Sequence, residues 1–220
     1  MNKIDEFILN NSEEKFANFS KKLISSNHEI LGVRLPTLRT FAKKISANDV
    51  KLSKDCCLEK IMLFAFASSN EKTEEKQLEN LKKLLPFIDN WSSCDCTISS
   101  LKKLTGEKSY KCFTKLLKNK ETYHIRVGIV GLMRNFIKSD KIDEICANLK
   151  KISIENADYY IKMALAWFYA ELCISNYSKS KREIETTTDK FVRNKSISKA
   201  RESFRVTQQQ KDELANLRIK

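Results

Sequence analysis

The chain has 220 residues, with 41 Lys and Arg against 28 Asp and Glu and a formal net charge of +13. That length can bury a sizeable core, as one domain or as two tightly packed halves. The cation excess draws polyanions toward the chain whatever its fold. No stretch approaches the roughly 18 apolar residues of a membrane span, and the first residues carry Asp5 and Glu6 without an apolar run, so neither a transmembrane helix nor a signal peptide is expected.

Only four Gly and two Pro occur, too few for a sheet with many tight turns, and the apolar residues recur with helical spacing almost throughout. Pro36 suits a first helical turn and opens a helix over 36–45 with Leu38, Phe41, Ala42 and Ile45 on one face. Residues 58–67 are apolar nearly all round and read as a buried helix. Leu78, Leu81, Leu84 and Leu85 form a stripe that stops near Pro86. Ile98, Leu101 and Leu104 form another, closed by Gly106. Cys112, Phe113, Leu116 and Leu117 follow, then helices over 125–137, 142–149 and 159–174. The tail reads as 184–192, 196–204 and 211–217. About a dozen short helices with short polar connections make antiparallel neighbours. A row of such hairpins, none able to bury its stripe alone, is the logic of a helical-repeat solenoid. A divergent repeat of HEAT type fits the spacing, an irregular helical bundle is the plain alternative, and the expectation is one domain over 1–220.

The seven cysteines fall mostly inside apolar helical patterns (Cys57, Cys112, Cys146, Cys173), which points to free thiols in a reducing cytoplasm. Cys94 and Cys96 are spaced C-x-C, but no second cluster accompanies them and His28 and His124 are remote, so no metal is expected.

Three groups of residues could carry chemistry. In Asp89-Asn90-Trp91-Ser92-Ser93-Cys94-Asp95, Trp91 and Asp95 are four apart and share a helix face, and Asp89 or Asn90 can cap the helix. The plain alternative makes Trp91 core and Asp95 a solvated first-turn acid favoured by the helix dipole. Arg126 is a lone cation in an apolar helix, where it is usually paired or faces a groove; Gly128 and Gly131 beside it permit close backbone approach. Trp167 stands between Ala164 and Ala170, small neighbours that suit either tight packing or a cleft. Around these lies a basic surface. Lys102, Lys103 and Lys108 precede Lys111, Lys115 and Lys118 on one helix stripe, and the tail adds Arg193, Lys195, Lys199, Arg201 and Arg205. Cations on successive solvent-facing stripes can track a phosphate backbone. Nucleic acid is the first partner this indicates; an acidic membrane surface or acidic protein is the second, and a solvated lysine-rich face is the plain alternative.

Several stretches resemble the AlkD-type DNA alkylation repair family. Gly32-Val33-Arg34-Leu35-Pro36-Thr37-Leu38-Arg39 resembles its early Gly-x-x-x-Pro-x-x-Arg segment, and Trp91 to Asp95 its Trp-x-x-x-Asp site. Arg126 falls where the family has an Arg in an apolar helix, and 159–171 resembles its Trp-bearing helix, with Trp167 in place. The segment 194–206 is similar to the Asn-Lys…Glu-Ser-aromatic-Arg-Val tail of a compact bacterial branch. The resemblance runs over about 32–217. It implies stacked HEAT-like helix pairs, curved with a basic concave face, and excision of cationic N3- and N7-alkylpurines from duplex DNA without metal or organic cofactor. By position, it makes Asp95 the catalytic carboxylate, with Trp91 and Trp167 framing it and Arg126 supporting the site. Arg39, Lys102, Lys103, Lys111, Lys115, Arg193, Lys195, Lys199 and Arg205 are the expected DNA contacts. A monomer in the bacterial cytoplasm, with alkylated double-stranded DNA as partner and no membrane, completes the expectation. A non-catalytic DNA-structure-binding protein and a helical-repeat interaction adaptor are the other readings.

Overall fold

The computed structural model describes residues 2–220. Among them are thirteen α-helices and no strand. In the first part of the chain these are α1 (Lys3–Asn10), α2 (Glu14–Leu23), α3 (Leu35–Ala42), α4 (Leu58–Ser68), α5 (Glu74–Leu84), α6 (Trp91–Ser100) and α7 (Glu107–Leu116). Then come α8 (Thr122–Phe136), α9 (Ile142–Leu149), α10 (Tyr159–Ser175), α11 (Tyr177–Thr186), α12 (Lys190–Glu202) and α13 (Gln208–Ala215). The chain forms two compact units, one reaching Ser109 and the other running from Tyr110, so that α7 carries the boundary.

In the first unit α4 is the centre. It packs against α3, α5 and α6, and every one of its residues except Lys60 is buried. Its one buried charge is Glu59, only 3% exposed. A carboxylate taken out of water needs its lone pairs filled. Here backbone N–H groups do it: Gly32 at 2.7 Å, Leu31 at 3.1 Å and Val33 at 3.3 Å all donate to Glu59 Oε1. Wrapping three successive amides around one oxygen takes a left-handed residue, and Gly32 supplies it at φ 87°. Pro36 stands in the first turn of α3, as its geometry favours.

In the second unit α10 packs against α8, α11 and α12. Alternate helices lie against each other, α4 with α6 in the first unit and α8 with α10 and α10 with α12 in the second, while intervening helices flank them. This is the stacked arrangement of a helical repeat. Gly128 and Gly131 are where α8 is crossed most closely: a Cβ on Gly128 would press on the Phe113 carbonyl, and one on Gly131 would fall within the Phe113 ring. That ring is fully buried and meets Phe136 edge-on, with centroids 6.4 Å apart.

Several element boundaries differ from the sequence pattern; α3, for one, ends at Ala42, before Ile45. The Ile98, Leu101 and Leu104 stripe is not one helix: α6 ends at Ser100, and Leu101 leaves it at φ −85°, ψ 74°, although all three side chains remain buried. The segment 184–192 is broken between α11 and α12. The β-branched run at Thr186, Thr187 and Thr188 favours helix weakly, and Asp189 then starts a new helix by accepting the Val192 N–H at 2.8 Å. Phe204, expected inside a helix, lies beyond the end of α12.

An ion network in the second unit centres on the buried Glu183. Burial pushes the Glu183 carboxyl up, but Lys150 at 2.8 Å and Lys179 at 3.1 Å outweigh it and hold it below its ordinary value. A depressed folded pKa stabilises above the unfolded value and loses that stabilisation as pH falls through the folded one. Urea midpoints are therefore expected to drop as pH is lowered from about 5, and less so in Glu183→Gln. Gly131→Ala tests the close crossing. Its better helix preference, about 1 kcal/mol, should be outweighed by overpacking against Phe113, which costs about 1–3 kcal/mol. The expected result is a lower urea midpoint.

Candidate active site

Helix α6 presents the first group. Asn90, fully buried, caps it by accepting the Ser93 N–H at 2.9 Å. Its own amide donates to Asp89 Oδ1 at 2.8 Å, and Asp89 in turn accepts from the Ser26 hydroxyl at 2.9 Å. The start of α6 is thus tied to the loop after α2. Trp91 opens the helix with its indole N–H donated to the Leu23 carbonyl at 3.2 Å. The residue is 36% exposed, so it is not a core residue. The indole borders an apolar cavity of about 170 Å³ with Phe16, Phe19, Leu23 and Met62.

Asp95 stands one turn after Trp91 and is half-buried. It lies in the second turn of α6, not the first, so the helix dipole alone does not account for it. Its neighbour Cys96 is raised above its ordinary pKa by burial; Arg39 opposes that rise and Asp95 adds to it, so one thiol feels both a guanidinium and a carboxylate. Arg39 is held in place by its carbon face: the guanidinium carbon lies 4.1 Å from the centroid of Phe66, and one nitrogen donates to the Ser100 hydroxyl at 3.3 Å.

The second unit holds the other group. Arg126 is 5% exposed and donates to the Tyr160 carbonyl at 2.9 Å. That carbonyl belongs to the first turn of α10, which Asp158 caps by accepting the Tyr160 N–H at 2.7 Å. Two turns further along, Trp167 is half-buried and donates its indole N–H to Glu171 Oε1 at 3.3 Å. The other oxygen of Glu171 takes Arg205 at 3.4 Å. Trp167, Ala170, Glu171, Lys199, Phe204 and Arg205 line a cavity of about 280 Å³. Ala170, buried beside the indole, provides the small neighbour that this room requires.

The expected DNA contacts differ in their exposure and partners. Lys102 and Lys103 are exposed in the turn between α6 and α7, and Lys111 and Lys115 are exposed on α7. Arg193 is engaged elsewhere: its Nε donates to the Leu217 carbonyl at 2.6 Å and one terminal nitrogen to Glu185 at 2.8 Å. With Asn194, which bonds both N–H and C=O of Ile219, it staples the C-terminal tail. Lys195 and Lys199 are half-buried, and Arg205 is exposed.

Sequence reasoning missed several features. Glu171 was passed over although it stands one turn after Trp167, the spacing at which a helical partner is expected. An aromatic row joins the starts of three alternate helices: Tyr123 of α8 lies 5.5 Å from Tyr160 of α10, and Tyr159 lies 5.7 Å from Phe191 of α12, centroid to centroid. An aromatic in the first turn of each helix was the readable signal. Glu59 gave none, because its partners are backbone amides.

The chain matches, over residues 4–204, a family model described as DNA alkylation repair enzyme. No curated protein matches it.

The chain has two tryptophans, so Trp91→Phe leaves Trp167 as the one emitter. In that background Glu171→Ala removes the acceptor of the indole N–H and opens it to water. The emission maximum is expected to move to longer wavelength, and an unmoved spectrum would show that the bond is not made in solution.

Proposed function

The chain belongs to the DNA alkylation repair enzyme family, and from that premise we propose that it is a DNA glycosylase that hydrolyses the N-glycosidic bond of cationic N3- and N7-alkylpurines in duplex DNA. Alkylation of a ring nitrogen leaves a positively charged base. When the bond from the sugar C1′ to the base breaks, its electron pair returns to the purine, which departs neutral, and positive charge develops on the deoxyribose. Water adds to C1′ and gives up a proton, leaving an abasic sugar.

The residues are suited to those steps. The Asp95 carboxylate stabilises the developing sugar cation and holds the attacking water. Trp91, one turn before it, offers a π face to the same charge, worth roughly 0.5–2 kcal/mol depending on desolvation. Trp167 is assigned the second indole. Arg126, fixed on the Tyr160 carbonyl, is assigned a supporting role as a rigid cation. Lys102, Lys103, Lys111 and Lys115 are assigned to phosphates. The observation that carries the reading is the order along α6, where a half-exposed indole anchored by its N–H is followed one turn later by a half-buried carboxylate. The chemistry needs no metal, and a cationic leaving group needs no strong general acid.

A second reading, a DNA-binding protein of the same family without excision, needs only the exposed lysines. Release of 7-methylguanine from alkylated duplex DNA separates the two. Wild type is expected to release the base, and Asp95→Asn to do so at least about 100-fold more slowly with its affinity for the duplex retained. Equal release by both proteins would remove Asp95 from the mechanism. Binding should weaken steeply with salt, and Lys102→Ala should lower the slope of log K against log salt by about 1.

A further inference from the structure

Among the large apolar side chains that remain exposed, Phe204 stands apart at 93%; the next, Phe19, is at 57%. A lone exposed apolar residue is ordinary. Phe204 is set off from that case by how it is held and by what lies beside it. Ser203 ends α12 at φ −76°, ψ 131°, and its hydroxyl accepts the Arg205 N–H at 3.2 Å. Val206 is buried, and Thr207 forms a capping box with Gln210 at the start of α13. The backbone on both sides of Phe204 is therefore held, and its side chain stands in solvent.

The ring stands at the edge of the cavity of about 280 Å³ that Trp167, Lys199 and Arg205 also line. Its lining combines an indole, a benzyl ring, the cations of Lys199 and Arg205 and the carboxylates of Glu171 and Glu202, the first of which is held by Trp167 and Arg205. The segment 195–206 carries Lys195, Lys199, Arg201 and Arg205 against Glu202, four cations to one anion. Arg205 reaches Glu171 at 3.4 Å with its side chain 52% exposed. So long and open a pair is easily exchanged for another anion.

We propose that this cleft is a nucleobase site, in which Phe204 stacks on a base of duplex DNA at an unstacked step while Arg205 and Lys199 take the adjoining phosphates. The proposal rests on the repair reading above. An aromatic tip pushed between base steps, with cations on its flanks, is a known way of holding opened DNA. The ligand combines a π face with a fixed negative charge about one nucleotide away. An acidic membrane would engage the cations and the ring but has no flat aromatic group for an indole-lined cleft.

The test uses the full chain and a duplex carrying 2-aminopurine beside a tetrahydrofuran abasic analogue. Wild type is expected to change the 2-aminopurine fluorescence on binding. Phe204→Ala should lose that change and bind on the order of 10-fold more weakly, with the salt slope unaltered because no phosphate contact is removed. Phe204→Trp should restore both. The exposure of the position keeps folding out of the comparison, which circular dichroism checks. An unchanged affinity and fluorescence response in Phe204→Ala would overturn the proposal. So would loss of binding to phosphatidylserine vesicles in that variant with DNA binding intact. If wild type excises 7-methylguanine while Phe204→Ala behaves identically on the probe, only this inference falls. If wild type binds no duplex at all, the repair reading falls with it.

Discussion

A helix that starts one residue late turns every side chain on it by about 100°. In a chain with four Gly and two Pro, polar caps set that start for several helices. Asn90, Asp158, Asp189 and Thr207 each accept a backbone N–H of the helix they open. Several candidate functional residues hang from these four points, whereas Arg39 and Arg126 stand on α3 and α8, which have no side-chain cap. Trp91 and Asp95 follow Asn90; Tyr160 and Trp167 follow Asp158; Lys199 follows Asp189; Phe204 is confined between the end of α12 and the Thr207 cap. A cap substitution typically costs about 1 kcal/mol, a modest loss for the fold. For a side chain whose direction matters to within a fraction of a turn, the same change is far larger in effect.

The net charge of +13 is a property of the whole chain and a poor guide to any one cation. Arg34 is bound through two nitrogens to Glu13 at 2.7 and 2.9 Å. Lys162 pairs with Asp189, the cap of α12, and Lys150 and Lys179 enclose Glu183. Arg193 reinforces two backbone carbonyls. These cations hold the molecule together. Those exposed in the α6–α7 turn and on α7 are the ones assigned above to phosphates, and under that proposal their number sets the salt dependence of binding.

Periodicity made the helices legible because it reports which residues face a core, and the core faces are nearly as the pattern drew them. The buried α4 and the close crossing at Gly128 and Gly131 follow from composition alone. Burial does not need a helix, however: Leu101 and Leu104 are buried from a turn, and the pattern could not tell the two apart. The break at 187–189 was hidden for the same reason, since Ile184 and Val192 are both fully buried although they belong to different helices. At the site, the resemblance assigned Asp95, Trp91, Arg126 and Trp167 a role, but the environment of each was beyond it. The exposure of Trp91 depends on a hydrogen bond to Leu23, 68 residues earlier, and Glu59 depends on amides, which have no residue identity to read.

The half-burial of Asp95 suits the proposed chemistry in a way that neither extreme would. A unit charge about 4 Å from a carboxylate gains only about 1 kcal/mol in bulk water, but about 4 kcal/mol at the effective dielectric of a protein surface. The larger figure corresponds to roughly a thousandfold in rate. Deeper burial would strengthen the attraction further and would also disfavour the ionised carboxylate on which it depends. A cationic purine needs no more than that intermediate setting, because most of the work of departure is already done by the alkyl group. For a neutral purine the leaving group would also have to be protonated. Asp95 in its ionised form has no proton to give for that step, so under the proposal above charged lesions are the substrates it suits.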